Sequence, residues 1–311
     1  MASGKVLVTG GAGFIGSNIV DALLKKGYAV AVVDNLATGS RKNVSSKAVF
    51  YEEDITSAGL RGIFRKEQPD FVIHTAAQIN VRKSVEEPLL GAKSSILGSV
   101  NVLECCREFK VKKVVYSSSG GACYGEPEYL PCDEKHPVNP ISHYGASKFA
   151  AEHYFFIYRL LYAIDYTILR YANVYGPRQD AKGEAGVISI FLQNIHDNKV
   201  MRINGDGRQT RDYVFVGDVV QANLLALAAD TPSRIFNIGT GKETDVNTIF
   251  SLIKKAAGTA LSATHGPKIP GEVSKIALDA SRAAKELGWI PKTSLSEGIN
   301  KTVTWFNAAH S

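Results

Sequence analysis

Apolar positions follow two periods along the first half of the chain. Short runs rich in β-branched residues at 5–9, 29–33, 48–51, 71–74, 114–118 and 166–170 have the length and composition of buried strands. Between them, apolar residues recur three and four apart. The stretch 18–26 carries Ile19, Val20, Leu23 and Leu24 on one helical face and stops at Gly27, and 58–67, 91–109 and 144–162 read as further helices. Regular alternation of this kind predicts right-handed βαβ crossovers, and hence an α/β fold with a doubly wound parallel sheet. The rhythm breaks after about Tyr175, where Gly176-Pro177, Gly183 and Gly186 mark a mobile connection and Asn204-Gly205-Asp206-Gly207 a strong turn. A strand-like run at 234–238 and helical patterns at 248–257, 281–287 and 294–306 complete a smaller C-terminal α/β region. The expected division is a first region over 1–175 with an interleaved segment at about 210–240, and a second over the rest of 176–311. A ligand would lie in the cleft between them.

The densest chemistry sits where the first strand becomes the first helix, in Val6-Leu7-Val8-Thr9-Gly10-Gly11-Ala12-Gly13-Phe14-Ile15-Gly16. Glycines there admit positive φ and leave no Cβ in the way, so a pyrophosphate can reach the free N–H groups at the helix start. The run fits Gly-x-Gly-x-x-Gly through Gly11, Gly13 and Gly16, and Gly-x-x-Gly-x-x-Gly through Gly10, Gly13 and Gly16. The second strand ends in Asp34, about twenty residues on, as in dinucleotide-binding units. A carboxylate there takes both ribose hydroxyls of NAD and repels the 2′-phosphate of NADP. Arg41 and Lys42 lie near enough to leave NADP open.

A second constellation is His143-Tyr144-Gly145-Ala146-Ser147-Lys148 at the head of a helix, where four-residue spacing puts Tyr144 and Lys148 on one face. An ammonium beside a phenol stabilises the phenolate. Bringing a tyrosine from about 10 to about 7 takes about 4 kcal/mol, which a lysine charge and a nicotinamide cation can supply together. The strand at 114–118 runs into Ser117-Ser118-Ser119-Gly120-Gly121-Ala122-Cys123-Tyr124-Gly125. That loop places hydroxyls at a carboxyl-terminal strand end, where open α/β sheets bind ligands. A serine there can hydrogen-bond a substrate hydroxyl while Tyr144 takes its proton.

Bulk properties narrow the class without deciding it. The 311 residues are 45% hydrophobic and 21% charged, an ordinary soluble composition with ample length for one large domain or two coupled ones. No run approaches the ~18 apolar residues of a membrane span, and the first residues do not read as a signal peptide, so the expectation is a cytoplasmic protein without a membrane partner. The cysteines, Cys105, Cys106, Cys123 and Cys132, form no Cys-x-x-Cys and have no histidine cluster beside them, which points to reduced, buried thiols and no metal. The net charge of +6 is scattered, a solvated face rather than a nucleic-acid surface, and suits an anionic nucleotide substrate.

Taken together, the glycine turn, Asp34, the serine loop and Tyr144-x-x-x-Lys148 resemble the extended short-chain dehydrogenase/reductase superfamily, and within it the UDP-glucose 4-epimerase group of UDP-sugar epimerases. The resemblance extends through Val33-Asp34-Asn35-Leu36-Ala37-Thr38-Gly39, Asp54-Ile55, His74-Thr75-Ala76-Ala77-Gln78, Arg170-Tyr171-Ala172-Asn173-Val174-Tyr175-Gly176-Pro177-Arg178 and Arg211-Asp212-Tyr213, almost the whole chain. It implies a Rossmann fold, the Gly10/Gly13/Gly16 spacing with Phe14 and Ile15 at the turn, and tightly held NAD. Asp34, Asn35, Thr38 and Gly39 would then hold the adenosine ribose and its surroundings, and Asp54 and Ile55 the adenine. Ala76, Ala77, Ser95 and Tyr171 would line the cofactor, and Lys148 would reach the nicotinamide ribose.

On the substrate side the resemblance implies Gln78, Ser118, Asn173, Arg211, Tyr213 and Lys268 around a UDP-hexose, with Ser119, Tyr144 and Lys148 catalytic and a homodimer as the assembly. Arginine's planar fork suits a diphosphate, the alternative for Arg211-Asp212 being an exposed ion pair. The chain departs from the family pattern at four places. The serine loop is one residue longer than Ser-Ser-Ser-Ala-Thr-Val-Tyr-Gly, which favours Ser119 as the catalytic hydroxyl with Ser118 in reserve. Ser95 stands where an asparagine is usual. Ile269 replaces an arginine that contacts the diphosphate, leaving Lys268 as substitute, and Ile276 falls near a position that gates N-acetylated sugars. A 4,6-dehydratase is the nearest enzyme rival, but Gly120-Gly121 replaces the Asp-Glu pair that elimination needs. A catalytically silent binding protein is the rival of another class.

Overall fold

The computed structural model describes residues 4–78, 81–181, 186–267 and 273–310, with the backbone alone at 81–83. Lys268 and Gly183 therefore lie outside the described residues. The strands are β1 (Lys5–Thr9), β2 (Ala29–Asp34), β3 (Val49–Glu52), β4 (Phe71–His74), β5 (Lys113–Ser119), β6 (Asp165–Tyr171), β7 (Asn173–Tyr175), β8 (Met201–Asn204), β9 (Thr210–Arg211), β10 (Tyr213–Phe215), β11 (Ile235–Ile238), β12 (Thr244–Asp245) and β13 (Ala263–Gly266). The helices are α1 (Phe14–Lys25), α2 (Gly59–Glu67), α3 (Val81–Glu86), α4 (Pro88–Ala92), α5 (Gly98–Glu108), α6 (Gly120–Tyr124), α7 (His143–Tyr162), α8 (Val187–His196), α9 (Val216–Ala228), α10 (Val246–Ala257), α11 (Ser281–Leu287) and α12 (Leu295–His310).

One seven-stranded sheet in the order β11-β6-β5-β4-β1-β2-β3, parallel throughout, organises the chain. Both faces are covered, so its strands are apolar at successive positions rather than at alternate ones. Val6, Val8, Val32, Val115 and Leu169 pack under α1 and α9, whereas Leu7, Val33, Val114, Tyr116 and Ile168 pack under α2, α5 and α7. Register aligns Thr9 with His74 and Ser119 with Tyr171, which brings the carboxyl ends of β1, β4, β5 and β6 to one edge. That edge, where the strand order reverses beside β1, is where such sheets bind ligands.

Three features differ from the sequence pattern. The stretch 91–109, expected as a single helix, is α4, then a π-helical turn over Lys93–Leu97, then α5. Helix α9 gave no expectation of its own, yet it and β11 return to the sheet, so the interleaved segment is a helix as well as a strand. The chain then returns a second time, since Ala283, Leu287 and Trp289 join the core shared by β11 and α9 instead of the C-terminal region. The remaining apolar residues of that region, from α8, α10, α12 and β8, form a separate core around Phe191, Ile203, Ile249 and Phe306.

Candidate active site

The turn after β1 is built by close approach. Gly10 has φ +70°, and a Cβ there would stand 2.7 Å from the Ala76 amide nitrogen beyond β4. A Cβ on Gly16 would stand 2.2 Å from the Gly10 carbonyl oxygen, so α1 presses directly on the turn. Gly13 caps α1 without a side-chain bond, leaving the amides of Phe14, Ile15 and Gly16 without partners inside the helix. Asp34 is buried at the end of β2. Its two oxygens accept the Ala12 amide at 2.9 Å and the Leu36 amide at 2.8 Å, and each keeps a lone pair for a ribose hydroxyl.

Around this turn, Gly39 packs against Ala12 and Asp34, with Thr38 exposed beside it. Asn35 donates to Asp54 at 2.8 Å, and Ile55 is buried behind them. Arg41 is committed elsewhere, stacked 4.6 Å over the Phe50 ring and donating to the Val44 carbonyl, so of the two cations that left NADP open only Lys42 is uncommitted.

Ser95 sits in the π-helical turn with its hydroxyl buried and, among the described residues, without a partner. Burying an unpaired hydroxyl costs about 1–3 kcal/mol, and π-turns recur at functional sites. A hydrogen-bonding group of a bound ligand would satisfy it. The uncapped helix, the carboxylate and the orphan hydroxyl together fit a dinucleotide such as NAD.

Helix α7 carries Tyr144 and Lys148. Ser142 caps it by accepting the Gly145 amide at 3.1 Å, and Gly145 has no room for a side chain, because a Cβ would stand 2.2 Å from the Ala122 carbonyl oxygen. The first turn of α7 is thereby held against α6, the helix that follows the serine loop. Tyr144 is half-buried in that turn, and one turn on, Lys148 is buried, donating from Nζ to the Ser117 carbonyl at 2.8 Å and lying 4.9 Å from the centre of the Tyr116 ring. Burial lowers Lys148 to about 8, which still leaves an ammonium at neutral pH.

The three serines separate by strand alternation. Ser117 is buried and its hydroxyl meets that of Tyr171 at 3.0 Å, and Ser118 is buried on the opposite face, donating to Glu152 at 2.6 Å. Ser119 is half-buried at the end of β5, where it accepts the Ala122 amide at 3.4 Å as the cap of α6. The hydroxyl of Ser118, held in reserve, thus faces the core, and that of Ser119 does not. Tyr171 is buried, with its hydroxyl bonded to Ser117 and Asn223.

On the substrate side, Asn173 is exposed at the start of β7 and Arg211 half-buried on β9, while Gln78 is half-buried beyond β4. No Arg211–Asp212 ion pair forms. Asp212 points inward and accepts the amides of Thr240, Gly241 and Leu278, tying β9 and β10 to the loop after β11. Tyr213 lies in the C-terminal core, 6.4 Å centre to centre from Tyr175, and burial pushes its phenol up to about 12. Ile276 is buried against Tyr124, Cys132 and Leu278, beside Gly121, and does not line an open wall. Sequence reasoning assigned no role to Glu152 or His74. Both carried a signal: Glu152 is one further turn along the Tyr144/Lys148 face, and His74 ends a strand at the ligand edge.

The description "NAD dependent epimerase/dehydratase family" fits residues 6–239. The chain belongs to that family. Members similar to it over nearly their whole length include the UDP-glucose 4-epimerase of Mycolicibacterium smegmatis, 43% identical over 97% of this chain and 98% of that protein. The crystal structure of a Thermotoga maritima UDP-glucose 4-epimerase with UDP-glucose superposes at TM-score 0.96, with 46% identity, covering 99% of this chain and 100% of that one. That of a Thermus thermophilus UDP-glucose 4-epimerase complexed with NAD gives 0.94, with 43% identity, covering 98% and 99%. Among the described residues, no helix is long and apolar enough to cross a membrane, and no group of acidic, histidine or cysteine side chains is placed to hold a metal.

Proposed function

We propose that this protein is a UDP-glucose 4-epimerase, interconverting UDP-glucose and UDP-galactose. The observation that carries the reading is the buried Lys148 ammonium, pinned on the Ser117 carbonyl one turn from a half-buried Tyr144, beside the one serine of the loop that is not turned into the core. Bound NAD supplies a reversible two-electron oxidation at C4 of the sugar. Gly10, Gly13 and Gly16 with the amides of α1 hold its pyrophosphate, Asp34 and Asn35 its adenosine ribose, and Ser95 its amide. Tyr144 as phenolate removes the proton of the C4 hydroxyl, with Ser119 holding that oxygen by a hydrogen bond. Lys148 keeps the phenol acidic by its charge. Arg211 grips the diphosphate and Asn173 meets the sugar nucleotide, so the 4-keto sugar is free to turn before Tyr144 returns the proton to its oxygen.

Purified protein assayed against UDP-glucose, UDP-galactose and their N-acetylated and uronic counterparts, with no NAD added, is expected to interconvert the first pair. Turnover of none of them with saturating NAD overturns the reading. Preference for the N-acetylated or uronic pair replaces the substrate while keeping the chemistry.

Exposed apolar residues on α7 and its neighbours support a homodimer. Phe156, Leu160 and Leu161 on α7 are 57%, 72% and 63% exposed, and Leu97 before α5 is 61% exposed, an apolar area that water does not favour. A second copy meeting the same face about a two-fold axis would cover it. Wild-type protein is expected to sediment as a dimer and the Leu160→Glu/Leu161→Glu variant as a folded monomer. A monomeric wild type removes the assembly.

A further inference from the structure

The face of α7 that carries Tyr144 and Lys148 continues one turn further, to a buried carboxylate that the acid–base chemistry does not use. Glu152 accepts the Ser118 hydroxyl at 2.6 Å and Arg170 at both its oxygens, Nε to Oε1 at 3.1 Å and Nη2 to Oε2 at 2.6 Å. Arg170 reaches on to the Tyr124 hydroxyl at 3.0 Å, which donates to Asn237 at 2.8 Å, and Asn237 in turn donates to the Cys132 carbonyl at 2.9 Å. The chain of bonds thus runs from α7 through β5, β6 and α6 to β11. A buried ion pair is weak evidence for stability, because apolar residues of the same volume often serve as well. Its place beside Lys148 and Ser119 asks for another reason.

We propose that Glu152 and Arg170 are a positioning pair, which holds the Ser119 loop against α7 and keeps the ammonium form of Lys148 in place. The first part follows from strand alternation: with the Ser118 hydroxyl drawn to Glu152, its neighbour Ser119 is turned the other way. The second follows from the surroundings of Lys148. From β5 it meets the Ser117 carbonyl and the Tyr116 ring, from β4 His74, from α6 the Cys123 thiol, and from its own helix Glu152, whose carboxylate is paired with Arg170 of β6. Burial keeps His74 neutral, lowering it to about 3, and keeps Cys123 protonated, raising it to about 12. Glu152 is then the carboxylate that favours the ammonium, and Arg170 would oppose it if left unmatched.

The test rests on the epimerase reading for its first measurement only. In the holoenzyme, Glu152→Gln is expected to move the alkaline limb of kcat down by about half to one pH unit, so that the rate above the limb falls about three- to tenfold relative to that at pH 7. Removing both charges in Glu152→Met/Arg170→Met should return the limb to its original place while leaving kcat low, because Ser118 loses its acceptor. The second measurement needs no turnover. In protein carrying ¹³C-labelled lysine, the Lys148 resonance, identified by its loss in Lys148→Met, should titrate at lower pH in Glu152→Gln than in wild type. Glu152→Asp, which keeps the charge, guards against a glutamine variant that does not fold, and should lower kcat with the lysine titration unmoved. A Lys148 midpoint identical in wild type and Glu152→Gln, or displaced in Glu152→Asp as far as in Glu152→Gln, overturns the proposal whether or not the protein turns over UDP-sugars.

Discussion

Tyr144→Phe is expected to lower kcat for UDP-galactose by about 10²-fold or more, with KM within about twofold of wild type, because a positioned acid–base group contributes that much to the transition state and little to ground-state binding. The variant keeps the ring that fills the head of α7 and loses one oxygen. The cap from Ser142 and the contact of Gly145 with Ala122 lie in the backbone and neighbouring residues, so the fold and the thermal midpoint should not change. Steady-state rates with saturating NAD, together with a melting curve, check both halves. A Phe variant within about threefold of wild-type kcat would remove the phenol from the chemistry.

Lys148→Met is expected to act in opposite directions on activity and stability. Turnover should fall by about 10²-fold or more, since the methionine removes the charge that keeps the Tyr144 phenol acidic. Stability of the cofactor-stripped protein should rise at pH 7. Lys148 is buried with its proton affinity lowered to about 8 in the fold, against about 10.4 in an unfolded chain, a difference that destabilises the fold by about 3 kcal/mol wherever both forms are charged. Losing the bond to the Ser117 carbonyl offsets part of this, so the net gain is about 1–2 kcal/mol. The sign with pH is fixed by the direction of the shift. Between about 8 and 10.4 the unfolded chain binds the extra proton, so the wild-type penalty is full below 8 and relieved as pH rises, and the advantage of the methionine should fade across that window. Denaturant melts at pH 7 and pH 10 measure the difference. A variant less stable than wild type at pH 7 would show that Lys148 is not buried as a charge at a cost.

Much of the dinucleotide half was legible because each of its devices is local. A buried parallel strand, a glycine turn, a helix and an acidic strand end lie within about thirty residues, and their chemistry does not depend on what packs over them. Tyr144 and Lys148 share a helical face by spacing alone. The serine loop resisted the same treatment. The extra residue of the loop leaves open which serine takes the family's position, and only the faces of β5, with Ser117 toward Tyr171 and Ser118 toward Glu152, separate them. For Arg211-Asp212-Tyr213 the structure removes only the alternative reading. Adjacent opposite charges read as an exposed pair, but strand alternation sends Asp212 inward to the amides of Thr240, Gly241 and Leu278.

By itself, then, the order of residues determined the parallel sheet, the glycine turn, the carboxylate at the end of β2 and the shared helical face of Tyr144 and Lys148, since each is set by spacing within one element or across one turn. Tertiary structure alone decided which hydroxyl of the loop is not turned into the core, that α11 returns to the first core, that a π-turn carries Ser95 with its hydroxyl unpaired among the described residues, and that Glu152 of α7 finds Arg170 of β6. Those depend on contacts between residues far apart in the chain, and a one-dimensional pattern holds no distance between them until the sheet has been wound.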